Sequence, residues 1–500
     1  MPTLAQFALR FALRFALRFA IRPALRAGLA LLVLVSGVAA QGTVVTRRDL
    51  ADAYFQIDRA AMSAGLPADR RAAWNRQFDR TTLAFFSGDF PRVLREMHDL
   101  LAQISGDAAA GSPTRQLLPL RLEPGQRVLV AGRDRVLEVS ATVMYTDSTL
   151  SLPRSVTVQL VDVGGAALST GTMLIPANAI PGQAVTIQLD VAQIINGNGK
   201  YRMVASLPGA RVQRATDIFV MREPADSARA RIQRTIAALP ASADAQSLTA
   251  LRARAALITD HPDPANSAQF LADPSALTAA LETEVRTLAR GTRPYALKTG
   301  DYWRVINGPA GPIPMRIYAP RSVALGTRLP VVIALHGAGA DENMFLEGYG
   351  AGRMRALADS LEFILVSPAT VPFARDLAGF DSTLAVLERE YVIDRSSIYV
   401  IGHSMGAAAA MRLTIERRAD VRAAVLLAGV GAPPPDGKMS PTLIIGAEMD
   451  LVIPIAQVRA GFERARAAGA LVEFVQADGW GHTLVVGARL DDAMRWLFSR

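Results

Sequence analysis

The chain has 500 residues, half of them hydrophobic and 20% charged, with a formal net charge of +9 and no cysteine. At ~150 residues per domain this length predicts about three domains, and the apolar content excludes a disordered chain. Without cysteine there is no disulfide, thiolate metal site, iron–sulfur cluster, cysteine nucleophile or acylated lipoprotein anchor; five of the positive charges lie in residues 1–40, and the remaining +4 forms no basic stripe for a nucleic acid.

Residues 1–40 have the three parts of an export signal. Phe-Ala-Leu-Arg repeats three times from Phe7 to Arg18 and varies through Arg26, an apolar run follows from Ala27, and Val38-Ala39-Ala40 supplies the small residues a signal peptidase cuts after. The run falls short of the ~20 apolar residues of a membrane span. Cleavage after Ala40 is therefore expected, giving an extracytoplasmic protein, periplasmic or secreted, that meets the membrane only through its signal.

Residues 46–106 read as a helical hairpin region. Leu50, Tyr54, Ile57 and Ala61 recur at helical spacing from Arg47 to Ser63, Pro67 opens a second helix that runs to Phe86, and Asp89 caps a third through Leu101. Phe85, Phe86 and Phe90 cluster at the corner. His98 shows no partner and reads as an exposed or core histidine. Residues 120–222 change period to short β-branched runs at 127–131, 136–144, 155–163, 184–191, 201–207 and 213–221, separated by Asp, Asn, Gly and Pro. They predict an antiparallel β-sandwich. Gly199 to Val204, with Tyr201 near its start, resembles a late strand of an immunoglobulin-like module, here a spacer or a cover on its neighbour. Residues 225–291 return to a helical pattern, broken at Pro262 and Pro264 and closed by Gly291, and read as a helical connector in which His261 is solvated.

From residue 300 to the end, strand and helix patterns alternate. Candidate strands are 301–306, 313–318, 330–335, 362–366, 397–401, 422–427, 442–445 and 471–475, with helices between the later ones. Val331 to Leu335 is a continuous apolar run of the buried, parallel kind. A mostly parallel sheet with helices on both faces is predicted, so the fold class is multidomain, ending in an α/β domain whose pattern is self-contained enough for a chain starting near residue 293 to fold alone.

Strand 397–401 leads into Gly402-His403-Ser404-Met405-Gly406 and then an alanine-rich helix. A serine on so tight a strand-to-helix turn is lifted above the sheet edge, and glycines on either side let the two elements approach. The amide of Met405, at the helix N-terminus, is aimed at an oxyanion. A serine needs a base. Of the five histidines, His98 and His261 lie outside this domain, His403 points away in such a turn, and His336 supports its own loop. His482, in Asp478-Gly479-Trp480-Gly481-His482, remains. The loop after the seventh strand places Asp450 to orient it, with Glu448 and Asp478 as runners-up. The second oxyanion donor is expected from His336-Gly337-Ala338-Gly339, with the Ala338 amide first and Gly339 next; no Gly-Lys-Ser/Thr follows, which argues against phosphate binding there. Substrate contacts are expected from loops 370–380 and 431–438 through Phe373, Phe380 and Pro433 to Pro435.

The chain order Ser, Asp, His is that of α/β hydrolases. More narrowly, His336 to Gly339, together with Asp394 to Gly406, resembles secreted esterases of the polyhydroxybutyrate-depolymerase and feruloyl-esterase group and related predicted peptidases. Ala407 departs from that group, which commonly has a second glycine there. The resemblance implies an acyl-enzyme mechanism on small-molecule or polymeric esters, with no metal or cofactor. The same machinery acting on peptides, and a polymer-binding sandwich beside a vestigial hydrolase domain, are the other two expectations. If the signal is read correctly, mass spectrometry of exported protein will find an N-terminus at or near Gln41; an intact Phe-Ala-Leu-Arg repeat on exported chains would mean an uncleaved anchor.

Overall fold

The computed structural model describes residues 44–146, 153–192, 199–375 and 377–500. The expected export signal lies outside the described residues, among which no helix is long and apolar enough to cross a membrane. Three helices come first: α1 (Arg47–Ala64), α2 (Ala68–Phe86) and α3 (Phe90–Ile104). A capping box starts α1, in which the Thr46 side chain accepts from the Asp49 amide and the Asp49 carboxylate accepts from the Thr46 amide. Asp89 caps α3 by accepting from the Arg92 amide. One stripe of α3, Val93, Leu94, Met97, Leu100 and Leu101, is buried, and Phe85 stacks on Phe90 across the α2–α3 turn. His98 is buried, with Nδ1 2.9 Å from the Tyr145 hydroxyl. Burial holds its pKa well below the usual value, so the ring is neutral. The sequence showed no partner for it because Tyr145 is 47 residues away.

A short helix, α4 (Pro113–Leu117), precedes eight strands: β1 (Leu120–Pro124), β2 (Val128–Val130), β3 (Val136–Val143), β4 (Arg154–Val161), β5 (Ala167–Ile175), β6 (Ala184–Asp190), β7 (Gly199–Ser206) and β8 (Arg214–Met221). They form two sheets, β1-β3-β6 and β2-β8-β7-β4-β5, which share one core containing Leu122, Val139, Val158, Met203 and Ile218. The sequence pattern missed β1, which is short and ends at Pro124, and β5, where Gly171 and three hydroxyl residues dilute the alternation. One pairing departs from the antiparallel expectation, since β2 runs parallel to β8. Helices α5 (Ala225–Ala237), α6 (Ala245–Ala255), α7 (Ser267–Leu271) and α8 (Pro274–Ala289) follow. Ile232, Leu251, Leu281 and Val285 from them pack against Val128, Phe219 and Met221 of β2 and β8.

The remaining strands are β9 (Gly300–Gly308), β10 (Gly311–Ala319), β11 (Leu329–Leu335), β12 (Ile364–Pro368), β13 (Ile393–His403), β14 (Val421–Leu427), β15 (Thr442–Ala447) and β16 (Val472–Ala477). They form one sheet in the order β16-β15-β14-β13-β11-β12-β10-β9. The pairings from β12 through β11 to β16 are parallel, and those of β9 and β10 antiparallel. Helices α9 (Arg353–Leu361), α10 (Thr370–Ala374), α11 (Ala378–Glu390), α12 (Met405–Glu416), α13 (Ile455–Ala467) and α14 (Leu484–Phe498) cover it. Strand alternation separates two cores. Val331, Ile333 and Leu335 face one side with α11, α12 and α13, and Val332 and Ala334 face the other with α9 and α14.

The second core does not stop at α14. It continues without a break into Leu50, Ile57, Phe78, Leu94 and Leu101 of α1 to α3. The Tyr54 ring lies against Gly348, where a Cβ would come within 2.8 Å of it, and buried Asp58 accepts a hydrogen bond from the Ala351 amide. The α/β domain is therefore not self-contained as its sequence pattern suggested, because α1 to α3 complete one of its two cores. Each fully buried Leu, Ile or Phe on that face is worth ~1.5–3 kcal/mol. A chain beginning at residue 293 is expected to aggregate or to bind a hydrophobic dye strongly; a soluble monomer melting at the full chain's temperature would contradict a shared core.

Candidate active site

Strand β13 ends at His403, and α12 begins at Met405. Between them Ser404 takes φ 55° and ψ −116°. For a residue with a Cβ, such a conformation costs ~1–3 kcal/mol and persists only where the surroundings enforce it. They do so here. A Cβ on Gly402 would lie 2.2 Å from the Gly406 carbonyl oxygen, and one on Gly406 would lie 2.0 Å from that of Leu335. The buried Ala407 methyl is accommodated from the far side, since Gly429 faces it where a Cβ would approach to 3.2 Å.

The turn lifts Ser404 Oγ to 3.0 Å from His482 Nε2. His482 Nδ1 lies 2.8 Å from Asp450 Oδ2. The other carboxylate oxygen of Asp450 accepts from the amides of Val452 (2.8 Å) and Ile453 (2.7 Å). That leaves Oδ2 to take the Nδ1 proton, so the Nε2 lone pair faces the serine hydroxyl. The side chains of His482 and Asp450 are 4% and 0% exposed, so this electrostatic pairing is not screened by water. The runners-up for the acid lie elsewhere. Glu448 accepts from the Gly479 amide, and Asp478 accepts from the Gln476 side chain.

The other histidines sort by environment. His261 is exposed. His336 accepts from the Thr370 amide at Nε2 and donates from Nδ1 to the Gly337 carbonyl, which braces its loop. His403 does more than pack. Its Nε2 lies 2.9 Å from the His482 carbonyl oxygen and its Nδ1 2.7 Å from the Tyr349 hydroxyl. Burial, then the neighbouring His482, holds its pKa well below the usual range. The neutral ring thus donates to the His482 carbonyl and accepts from Tyr349.

The Met405 amide opens α12, where the first-turn N–H groups have no acceptor within the helix. The loop after β11 lies directly against the serine, as a Cβ on Gly337 would be 3.2 Å from Ser404 Cβ. In that loop Gly339 has φ +81° and is pinned from outside: a Cβ there would sit 2.6 Å from the Phe85 ring, and its carbonyl accepts from Arg47 at 2.7 Å. Ala338 stands between the serine side and this clamp.

The expected substrate contacts need correction. Residues 370–380 are largely helical, and Phe373 and Phe380 are fully buried in the core under β11. Pro434 is buried as well, Pro433 half-buried and Pro435 exposed. The aromatic residue beside the loop after β11 is instead Phe85, from the helical region. Sequence reasoning placed α2 but missed its contacts with the loops around Asp450 and His482. Asn75 accepts from the Gly481 amide (2.7 Å) and Asp79 from the amides of His482 (2.9 Å) and Leu451 (3.0 Å). Both look like ordinary polar residues of a helix, and only their spacing, one turn apart, hinted at a shared face.

No protein-family model matches the chain, and no curated protein is significantly similar to it. Among solved structures it is similar to an S-formylglutathione hydrolase from Agrobacterium tumefaciens, with 18% identity over 41% of this chain and 96% of that one and a TM-score of 0.35. It is also similar to a thermostable esterase, with 13% identity over 76% and 99% of the two chains and a TM-score of 0.36. A third is a ferulic acid esterase from Anaeromyces mucronatus, with 15% identity over 39% and 89% and a TM-score of 0.33. The strand order and the elbow, rather than these low overall scores, carry the resemblance to α/β hydrolases. Because the Gly406 contact is with backbone, Gly406→Ala is expected to cost about 3 kcal/mol, the upper end for overpacked cores, and to abolish reaction of Ser404 with a fluorophosphonate. Ala407→Gly should stay within about 1 kcal/mol of the wild type. Thermal melts and probe labelling read both.

Proposed function

We propose that this chain is a serine hydrolase that cleaves carboxylic esters, acting outside the cytoplasm once its export signal is removed. The observation that carries this reading is the hydrogen-bonded line Ser404–His482–Asp450, at 3.0 and 2.8 Å, on a serine held at positive φ. His482 takes the hydroxyl proton as Oγ attacks the ester carbonyl. The amides of Met405 and Ala338 receive the oxyanion, and the helix N-terminus adds its partial positive charge. His482 then gives the proton to the leaving alkoxide, and the acyl group stays on Ser404. Water enters and attacks the acyl carbon as it gives a proton to the same imidazole; the acyl–Oγ bond then breaks, His482 returns the proton to Ser404 Oγ, and the acid leaves. Asp450 stabilises the imidazolium in both halves and holds its tautomer without itself taking the proton. Every step uses groups of the chain, and no metal or organic cofactor enters it.

Esters are favoured over amides because the motifs around His336 and Ser404 resemble those of esterases, and because an alkoxide needs less help to leave than an amine. The substrate is a small or polymeric ester. A panel of p-nitrophenyl esters, feruloyl esters and aminoacyl amides separates the choices, and turnover of amides without esters would overturn this one. Ser404→Ala is expected to end fluorophosphonate labelling and to lower kcat by about 10⁶, with His482→Ala nearly as damaging. Asp450→Asn should cost on the order of 10⁴. Glu448→Gln and Asp478→Asn should be mild; a crippling loss in either, beside a mild Asp450→Asn, would move the acid elsewhere. Full turnover by Ser404→Ala would end the serine-hydrolase reading.

A further inference from the structure

The loop that carries His482 is held in part by Glu448, His403 and backbone bonds, and one stripe of α2 supplies a further set of contacts. Arg71, Asn75 and Asp79 are spaced one helical turn apart and so share a face. The Arg71 guanidinium lies over the Trp480 ring, 5.2 Å from its centre. The Asn75 side-chain oxygen accepts from the Gly481 amide. Both oxygens of Asp79 accept from the His482 amide, at 2.9 and 3.0 Å, and Oδ2 also accepts from the Leu451 amide at 3.0 Å. The loop is shaped for this approach. A Cβ on Gly481 would come within 2.7 Å of Asp79 Oδ1, and one on Gly479 within 3.3 Å of the Arg71 side chain.

We infer that Asp79 is a positioning residue: its carboxylate ties the loop bearing the base to the loop bearing the acid, and so fixes His482 between Ser404 and Asp450. The inference rests on the serine-hydrolase reading. Its physical content is a count of restraints. Of the three amides that follow Asp450, those of Val452 and Ile453 bind Asp450 itself, and that of Leu451 binds Asp79. His482 is held at its N–H by Asp79 and at its carbonyl by His403. Rotation of either loop alone would break a charge-assisted hydrogen bond to a buried group.

The choice of a carboxylate is informative because it is unfavourable for stability alone. Asp79 is 1% exposed. Burial pushes its pKa up to about 6, with the nearby Asp450 adding to the rise and the amides of His482 and Leu451 opposing it. Filling that space with an apolar side chain would avoid the desolvation, but would leave the His482 and Leu451 amides without this acceptor. Asparagine has nearly the same shape and would turn an N–H₂ donor toward one of the two N–H groups.

The test uses the full chain and p-nitrophenyl acetate. Asp79→Asn is expected to lower kcat about 100-fold, the size of effect produced by a 1 Å misplacement of a reacting group, with KM within twofold of wild type. The rate of fluorophosphonate labelling should fall in parallel, and the far-downfield resonance of the His482 Nδ1 proton should shift or broaden. Asp69→Asn, on the exposed face of the same helix, should change none of these. A folded Asp79→Asn protein with wild-type kcat and an unmoved resonance overturns the assignment. If Asp79→Asn does not fold, Asn75→Ala decides. It removes the adjoining hold on Gly481 without setting donor against donor, and a fall in kcat of about tenfold at unchanged KM is expected. Wild-type kcat there would leave Asp79 a folding role only. A wild-type protein that neither labels nor turns over the ester strikes the serine-hydrolase reading instead, while the Nδ1 resonance still reports whether Asp79 holds His482 in place.

Discussion

A parallel sheet has two apolar faces, and both must be covered. This constraint organises the molecule from β9 to α14. One face is covered by α11, α12 and α13, with Ala250 of α6 joining the same core. The other is covered by α9 and α14, and their outer side remains apolar, so the core runs on into α1 to α3. Because that second layer comes from residues 47–104, the helical segment is fixed against the sheet edge where Ser404 stands. The polar contacts of α2 with the loops around residues 450 and 480 follow from that placement. Hydrophobic burial brings the helix to the site, and hydrogen bonds set its register there.

The glycines around the site serve close approach more than flexibility. Gly402 and Gly406 let β13, α12 and β11 meet at backbone contact, and the meeting holds Ser404 at positive φ. Gly337 lets the loop after β11 lie on the serine. Gly339 and Gly481 admit Phe85 and Asp79, respectively, from the helical segment. A strained Ser404 backbone costing ~1–3 kcal/mol is retained because the contacts that force it are rigid backbone, with no compliant side chain to yield.

That Ser404, His482 and Asp450 would meet was legible in the sequence because each lies at or just past the end of a strand with a strong local pattern, and because five histidines left few candidates to face the serine. The eight strands of the large sheet were legible for the same reason, being apolar runs in regular alternation with helices. Strand β5 was not, since Leu168 and Leu174 face water while Ser169 and Gly171 share the inward side with Met173 and Ile175, which blurs the alternation. The role of α2 was also hidden. Asp79 meets Leu451 and His482 across 372 and 403 residues, and no local pattern encodes a contact at that range. Tyr349 and His403 show the same limit on a smaller scale, with their 2.7 Å bond spanning 54 residues.

Long separation in sequence is not a large obstacle to such contacts. Closing a loop costs (3/2)RT ln n, so doubling its length adds only ~0.6 kcal/mol, and here the intervening chain is itself folded and attached at both ends. Arg121 of β1 pairs with buried Asp49 at the start of α1 and donates to the Val44 carbonyl. At the other end Ser267 of α7 bonds Asp341, two residues past Gly339, while Gln246 and Thr249 of α6 reach Asn307. The two facing sheets and the connector therefore act as a brace that returns α1 to α3 to the α/β domain. Three loops converge on the serine, and each is held by residues from outside the α/β domain: the loop after β11 by Arg47, Phe85 and Ser267, and the loops of Asp450 and His482 by Asp79. An isolated sheet with its own helices would keep Ser404 in its turn, since that geometry is local to β11, β13 and α12. It would lose the supports of the groups that must meet it, and with them the alignment of His482 on Ser404 that the proposed proton transfer needs.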